Sequence, residues 1–439
     1  VEVTRRHFLQ IAAGVGAVTA LPGLRSAALA GGGHGTPEGE WLAGDFHVHT
    51  TWSHDVWDGT TTDDNTTPID TASPDQSDGY TLGWTPAEQI RNAELRGLHF
   101  VALTDHNRIK SAFDPGWTSD SLVLVPGYEH SLSAGHAGVF VADRDTLAAL
   151  FTHLSDGDMA QYDFDQPDGL RAFTDFIHQA GGVAVINHPA APAWKGDIAA
   201  SQPFDAVETW NTSWLSRTNT TRLVEANNHL ATQFWQDNFL GGAKRKAITG
   251  GSDNHWRSTT AIQGVGQPTT WVYAASRSAE AILEGVQAGR TFVSTQPPAF
   301  GGPRLLLSAS EDWRNGRVAP VIPGGTVRAL GPVAVTVRVE QGTGNRLRLI
   351  STGQVVADEP IISPIASKVF RVVLPEGGYL RAELYADPGY AMAAQTSPIY
   401  ADAEEPAPDY ARREPTTGPA VSYGSALDIP LDLLQEHVH

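Results

Sequence analysis

From about residue 41 to 295, short apolar runs alternate with helical segments, and a cluster of His, Asp or Glu stands beside run after run. The runs Leu98–Leu103, Leu122–Val125, Val139–Ala142, Val183–Ile186, Ala206–Thr209, Ala247–Thr249 and Thr270–Tyr273 predict strands. The helices between them carry their own punctuation. Pro86–Arg96 opens on a capping box of Thr85 and Glu88, has Pro86 at its first position and stops at Gly97. Arg171–Ala180 puts Phe173, Phe176 and Ile177 on one face before Gly181-Gly182, and Thr221–Leu240 is a longer amphipathic helix ending at Gly241-Gly242. Strands alternating with helices at this spacing imply βαβ units and a mainly parallel α/β sheet or barrel.

The polar clusters sit at equivalent places in this alternation. Asp45-Phe46-His47-Val48-His49-Thr50 opens it, followed by His54 and Asp55. Thr104-Asp105-His106-Asn107 follows the run ending at Leu103; Gly127-Tyr128-Glu129 follows Val125, with His136 further on. Asn187-His188-Pro189 follows Ile186, and Gly250-Gly251-Ser252-Asp253-Asn254-His255 follows Thr249. Residues i and i+2 of an extended chain face the same side, so His47 and His49 can grip one ion. In a β/α barrel the carboxyl ends of the strands converge on one face, which would gather these side chains around a small volume.

Taken singly, each cluster has a bland reading. A lone His after a strand is more often a satisfied core or capping residue, Glu129 a surface ion-pair partner, and Asp105 a turn cap. Taken jointly, nitrogen and oxygen ligands repeated at the ends of successive strands predict a metal centre. The chain has no Cys, so His, Asp and Glu must supply every ligand, and no thiol nucleophile exists. His99, His130, His153, His178 and His229 lie within predicted elements or beside better candidates and read as ordinary histidines.

A formal charge of −19 argues against nucleic acid or an anionic membrane surface as partner. Residues 1–30 read as an address: Arg5-Arg6 before Phe8-Leu9, an apolar stretch from Ile11 to Gly23, then Ala28-Leu29-Ala30 as a cleavage site. The paired arginines resemble a twin-arginine signal, which implies the Tat export machinery as partner, a periplasmic or extracellular location and no stable membrane anchor. Residues 31–40 read as a flexible leader, and the Asp-rich stretch 56–83 as a solvated polar insertion beside the first His cluster. Beyond residue 300 the texture changes to short strands, Val333–Val339, Arg346–Ile350, Lys368–Leu374 and Tyr379–Tyr385, predicting a small β-sandwich over 300–402 before a mostly disordered tail at 403–439.

The ordered set His-x-His, Thr-Asp-His, Gly-x-Glu, His, Asn-His-Pro and Gly-Ser-Asp-x-His resembles the polymerase-and-histidinol-phosphatase (PHP) superfamily across roughly residues 44–295. Glu280–Val293 and Thr396-Ser397-Pro398-Ile399-Tyr400 are similar to the CehA/McbA-type members with a C-terminal β-domain. The resemblance implies a distorted (β/α)7 barrel over 41–299 and two or three divalent ions, zinc, manganese or iron. It implies His47, His49, Glu129 and Asp253 on one ion, Glu129, His136 and His188 on a second, and His54, His106 and His255 on a third. Asp55 and Asp78 stand as alternatives to His54. Asp105 is a candidate for orienting the ligands. The expected activity is hydrolysis of a small-molecule ester, a phosphoester attacked by a metal-bridging hydroxide. The alternatives are a carbamate or carboxylic ester on the same centre, and an exported binding protein with structural metals.

Overall fold

The structure, a computed structural model, describes residues 38–53, 83–155, 163–190, 192–212, 221–241, 245–255, 264–311, 320–328, 331–386 and 391–402. The signal stretch, His54, Asp55, Asp78 and the tail after 402 lie outside these residues. In the first part the strands are β1 (Glu40–Asp45), β2 (Phe100–Val101), β3 (Val123–Leu124), β4 (Gly127–Leu132), β5 (Gly135–Phe140), β6 (Val183–Ile186), β7 (Ala206–Asn211), β8 (Ala247–Gly251), β9 (Thr269–Ala274) and β10 (Thr291–Ser294). The helices are α1 (Pro86–Leu95), α2 (Arg144–Ser155), α3 (Pro167–Gln179), α4 (Thr221–Phe239) and α5 (Ala279–Gln287). The second part adds β11 (Arg304–Ser310), β12 (Thr326–Arg328), β13 (Pro332–Glu340), β14 (Asn345–Ser351), β15 (Gln354–Pro360), β16 (Ile365–Val373), β17 (Tyr379–Ala386), β18 (Met392–Thr396) and β19 (Ile399–Asp402).

Local chemistry explains where several elements begin and end. The capping box at α1 is formed in full: Thr85 accepts from the Glu88 N–H, and Glu88 accepts from the Thr85 N–H at 2.8 Å. Pro126 has no N–H to donate, so β3 stops after two residues and the chain resumes pairing as β4 in another sheet. Glu129, expected after a strand, therefore lies inside β4, antiparallel to β5.

The ladders leave two open sheets rather than the closed ring expected of the barrel. Strands β3, β2, β1, β9 and β10 lie side by side in the first, and β4 to β8 form the second. Two isolated parallel bridges, Val48↔Asn254 and His106↔Glu129, span the gaps between them. One buried cluster draws on both sheets: Leu42, Phe100, Phe140, Val183, Val185, Ala206, Ala247 and Val272 share it. Phe46 packs against Phe100 of one sheet and Phe140 of the other, with ring centroids 4.8 and 5.1 Å apart. Gly44 must be glycine here, because a Cβ would overlap the Phe100 ring.

The first sheet does not end near residue 300. β10 pairs antiparallel with β18, which carries the sheet on through β17 to β14 and β15 on one path and to β19 and β12 on the other. A separate three-stranded sheet, β11-β13-β16, supplies Leu305, Leu307, Val335 and Val337 to the same buried cluster as Leu347, Leu349, Leu380 and Leu384 of β14 and β17. Two β layers over one apolar core give this part a sandwich-like cross-section.

Candidate metal centre

The site forms where the loops after β1, β2, β6 and β8 meet β4 and β5. Asp45, at the end of β1, accepts from the backbone N–H groups of His47 (3.0 Å), Ser252 (3.2 Å) and Gly266 (2.7 Å). The Asp253 N–H donates to the His47 carbonyl at 2.7 Å, which locks the His-x-His segment alongside the Ser-Asp-Asn-His segment. On the other side, Asn107 N–H donates to the Glu129 carbonyl at 2.8 Å, beside the His106↔Glu129 bridge. Asp105 is fully buried, and its two carboxylate oxygens take the Thr50 N–H (2.6 Å) and the Thr50 hydroxyl (2.9 Å). His188 and Asp253 sit at φ 25° and 49°, in the left-handed region that non-glycine residues seldom occupy. Strain of this kind persists only where surrounding bonds impose it.

Glu129 is the centre of the arrangement. Its Oε2 lies 3.0 Å from His47 Nε2, 3.3 Å from His49 Nε2 and 3.3 Å from His106 Nδ1. Its Oε1 lies 3.2 Å from both His136 Nδ1 and His188 Nε2. Asp253 Oδ1 lies 2.9 Å from His49 Nε2 and 3.2 Å from both His47 Nε2 and His255 Nδ1. His49 and His255 stack with ring centroids 3.8 Å apart. Of the sequence candidates, His47, His49, His106, Glu129, His136, His188, Asp253 and His255 thus share one connected cluster, with Asp105 bracing its edge, while His54 is outside the described residues. His99 and His178 lie elsewhere: His99 Nδ1 accepts from the Ala43 N–H at 2.9 Å, and His178 Nε2 is 2.9 Å from Asp205. His130 packs its ring against Phe173 at 5.1 Å.

The residues fit a cation. His49 Nε2, His136 Nδ1 and Asp253 Oδ1 are buried and make no hydrogen bond of proper geometry, despite neighbours near 3 Å. Buried polar atoms that crowd without bonding one another are expected of ligands aimed at a shared ion. Within 4.8 Å of one another lie ligand atoms of His47, His49, Glu129 and Asp253; of His49, His106 and His255; of His106, Glu129 and His136; and of His47, His188 and Glu208. The donors are imidazole nitrogen and carboxylate oxygen, suited to zinc, manganese or iron.

The electrostatics point the same way. Burial alone pushes Glu129 up, but the imidazoles of His47, His106 and His136 outweigh it and hold the carboxyl well below its ordinary range. Asp253 is held low likewise, against burial, by His47 and His255. Burial pulls His49 down, yet its contacts with Asp253 and Glu129 carry it up to about 10. The imidazoles are thus driven to hold positive charge, which a bound cation would supply instead. Asp45 is pushed up to about 6 by burial, against the N–H groups it accepts from.

Sequence reasoning missed Glu208 and Asn211 of β7. Glu208 Oε1 is 3.0 Å from His47 Nδ1, and Asn211 Nδ2 donates to Glu208 (3.1 Å) and to Asp253 Oδ2 (3.0 Å). The available signal was a Glu inside an apolar run predicted to be a buried strand, a place where an unpaired charge is seldom found.

Comparison with known proteins adds an address. The description of the twin-arginine translocation (TAT) pathway signal sequence matches residues 2–22, which indicates export. Among the described residues no helix is long and apolar enough to cross a membrane. No curated protein gives a significant match. One similar solved structure is a two-domain protein containing a predicted PHP-like metal-dependent phosphoesterase from Bacteroides vulgatus. It has 17% identity over 84% of this chain and 98% of that one, with a TM-score of 0.38. Another is an amidohydrolase from Chromobacterium violaceum with bound sulfate and no metal, at 16% identity over 48% of this chain and 87% of that one, with a TM-score of 0.30.

Proposed function

We propose that the chain is an exported metal-dependent hydrolase of the PHP type, a phosphoesterase acting on a small ester in the periplasm or outside the cell. The observation that carries this reading is the convergence of His47, His49, Glu129 and Asp253, one ligand atom each within 4.8 Å, in a buried pocket bordered by His106, His136, His188 and His255. In this reading residues 41–299 make a distorted β/α barrel, supported by the two bridges between the open sheets, and 300–402 form a β-sandwich extension. His47, His49, Glu129 and Asp253 would hold one ion, Glu129, His136 and His188 a second, and His106 and His255, with His54, a third. Divalent cations so held supply Lewis acidity and activate water for attack at neutral pH.

The chain's own residues do the rest. Glu129 presents Oε2 to the His47, His49 and His106 side and Oε1 to the His136 and His188 side, so one carboxylate serves two neighbouring positions. Asn187 Nδ2 donates to Glu129 Oε1 at 2.9 Å and fixes the carboxylate plane. Asp105 holds the loop that carries His47 and His49 by its two bonds to Thr50. Cationic charge packed among these residues would offset the charge that builds on phosphoryl oxygens.

The test is turnover of p-nitrophenyl phosphate, its bis-ester and a naphthyl carbamate by metal-loaded protein, beside metal analysis of the purified chain and a His188→Ala variant. Phosphoester turnover that fails in the variant, with folding intact, is expected. Turnover of the carbamate alone sinks the phosphoesterase reading in favour of a carbamate or carboxylic ester hydrolase. Stoichiometric metal without any turnover favours an exported binding protein.

A further inference from the structure

Glu208 lies in a strand buried along its whole length, and it is 2% exposed. In an unbroken strand, residues three apart face opposite sides. The pairing of β7 with β8 shifts register between Glu208 and Trp210, and this bulge brings Glu208 and Asn211 to the same side. There the two oxygens of Glu208 have different duties. Oε2 is pinned by two donors, the His188 N–H at 2.8 Å and Asn211 Nδ2 at 3.1 Å. Oε1 is left for His47 Nδ1 at 3.0 Å. The other ring nitrogen of His47, Nε2, faces Glu129 Oε2 and Asp253 Oδ1 at 3.0 and 3.2 Å.

A carboxylate accepts from the imidazole nitrogen that faces it, and both nitrogens of His47 face one; with a cation taking Nε2, where Glu129 and Asp253 converge with His49, the proton is left to Nδ1. We propose that Glu208 is a positioning residue: it holds the proton of His47 on Nδ1, which turns the lone pair of Nε2 toward the ion. Through Oε2 it also anchors the backbone of His188 in its left-handed conformation, so one carboxylate orients two ligands from different strands. This rests on the metal-centre reading above. Carboxylate partners of ligating imidazoles set ring orientation and basicity in just this way. Gly251 shows how closely the pair is packed, since a Cβ there would overlap both His47 Cβ and Glu208 Oε1.

Glu208→Gln tests the assignment with no change of shape. Its amide oxygen must take the place of Oε2, where two donors point. Its NH2 then meets His47 Nδ1, which must accept, and the proton moves to Nε2, where a cation can no longer bind. Zinc or cadmium affinity, read by chelator competition, should fall by about 10- to 100-fold. In a His47→Ala background the same change should cost little further, because the effect runs through His47. Wild-type protein loaded with 113Cd and 15N-histidine should show metal coupling to His47 Nε2 and a retained Nδ1–H, a readout that needs no variant. Unchanged affinity in Glu208→Gln, full additivity with His47→Ala, or coupling through Nδ1 each overturns the role of Glu208. Wild-type protein that binds no divalent ion overturns the metal-centre reading itself, and this inference with it.

Discussion

Asp105 is the residue whose removal should most cleanly separate support of the site from direct ligation. It touches three segments that carry candidate ligands. Its carboxylate bonds Thr50, next to His49; its carbonyl accepts from the Glu129 N–H at 3.3 Å; and His106 is its neighbour in sequence. Hydrogen bonds to a charged group contribute about 1.5–3 kcal/mol each. Burial raises the Asp105 carboxyl, so part of that gain is lost to desolvation, and the sum of two full bonds is too large. Asp105→Ala should cost about 2–4 kcal/mol, since it leaves the Thr50 N–H buried without its acceptor. Asp105→Asn keeps one oxygen for that N–H, and the Thr50 hydroxyl can turn to accept from the amide, so its cost should be about 1–2 kcal/mol. Urea unfolding in the presence of a chelator gives both values free of metal linkage. Metal affinity, measured separately, should fall in the same order, alanine below asparagine below wild type, because the His47–His49 loop loses its brace. Equal stability in all three proteins would refute the bracing argument. Normal stability with abolished metal binding would make Asp105 a ligand instead.

Arg381 is fully buried, donates to Glu383 and to Gln236 Oε1 (2.8 Å), and ties β17 to α4. Arg381→Met should therefore cost about 3–5 kcal/mol by taking a buried cationic partner from Glu383, and adding Glu383→Gln should recover part of it in denaturant titrations; a loss below about 1 kcal/mol would count against the pair. Gly251→Ala should cost about 1–3 kcal/mol and weaken metal binding together, since the methyl meets His47 and Glu208, and an unaltered thermal midpoint and chelator titration would contradict this. The His99 imidazole is held below its ordinary range by burial and then by Arg277, and its neutral Nδ1 accepts from Ala43. A depressed histidine is protonated more readily unfolded than folded, so its stabilisation is present above about pH 6.5 and is lost as pH falls below that value. His99→Asn can keep the acceptor without titrating, so the stability gap between wild type and variant should shrink or reverse between pH 7.5 and 5.5; a constant gap would exclude His99 as the source.

What could be read from the chain is what local rules decide. The ends of α1 were legible because a capping box and a following glycine are both short-range signals. The limits of β6 were legible because four apolar residues stand between Gly182 and Asn187. The common neighbourhood of His47, His106, His188 and Asp253 was legible because strand ends in an α/β alternation converge, whereas Glu129 reaches it from inside β4. The rest depends on partners far away in the chain. β10 and β18 pair across a separation of about a hundred residues, and neither segment carries a mark of the other, so a sandwich set apart at residue 300 was the natural expectation. Glu208 escaped because a strand of period two assigns its neighbours by parity, and a one-residue bulge reverses that parity without any glycine or proline to announce it. The candidate site is therefore least legible where its side chains are held rather than where they stand. A carboxylate that orients a histidine needs only a single contact at the right distance, and any strand passing the pocket can supply it.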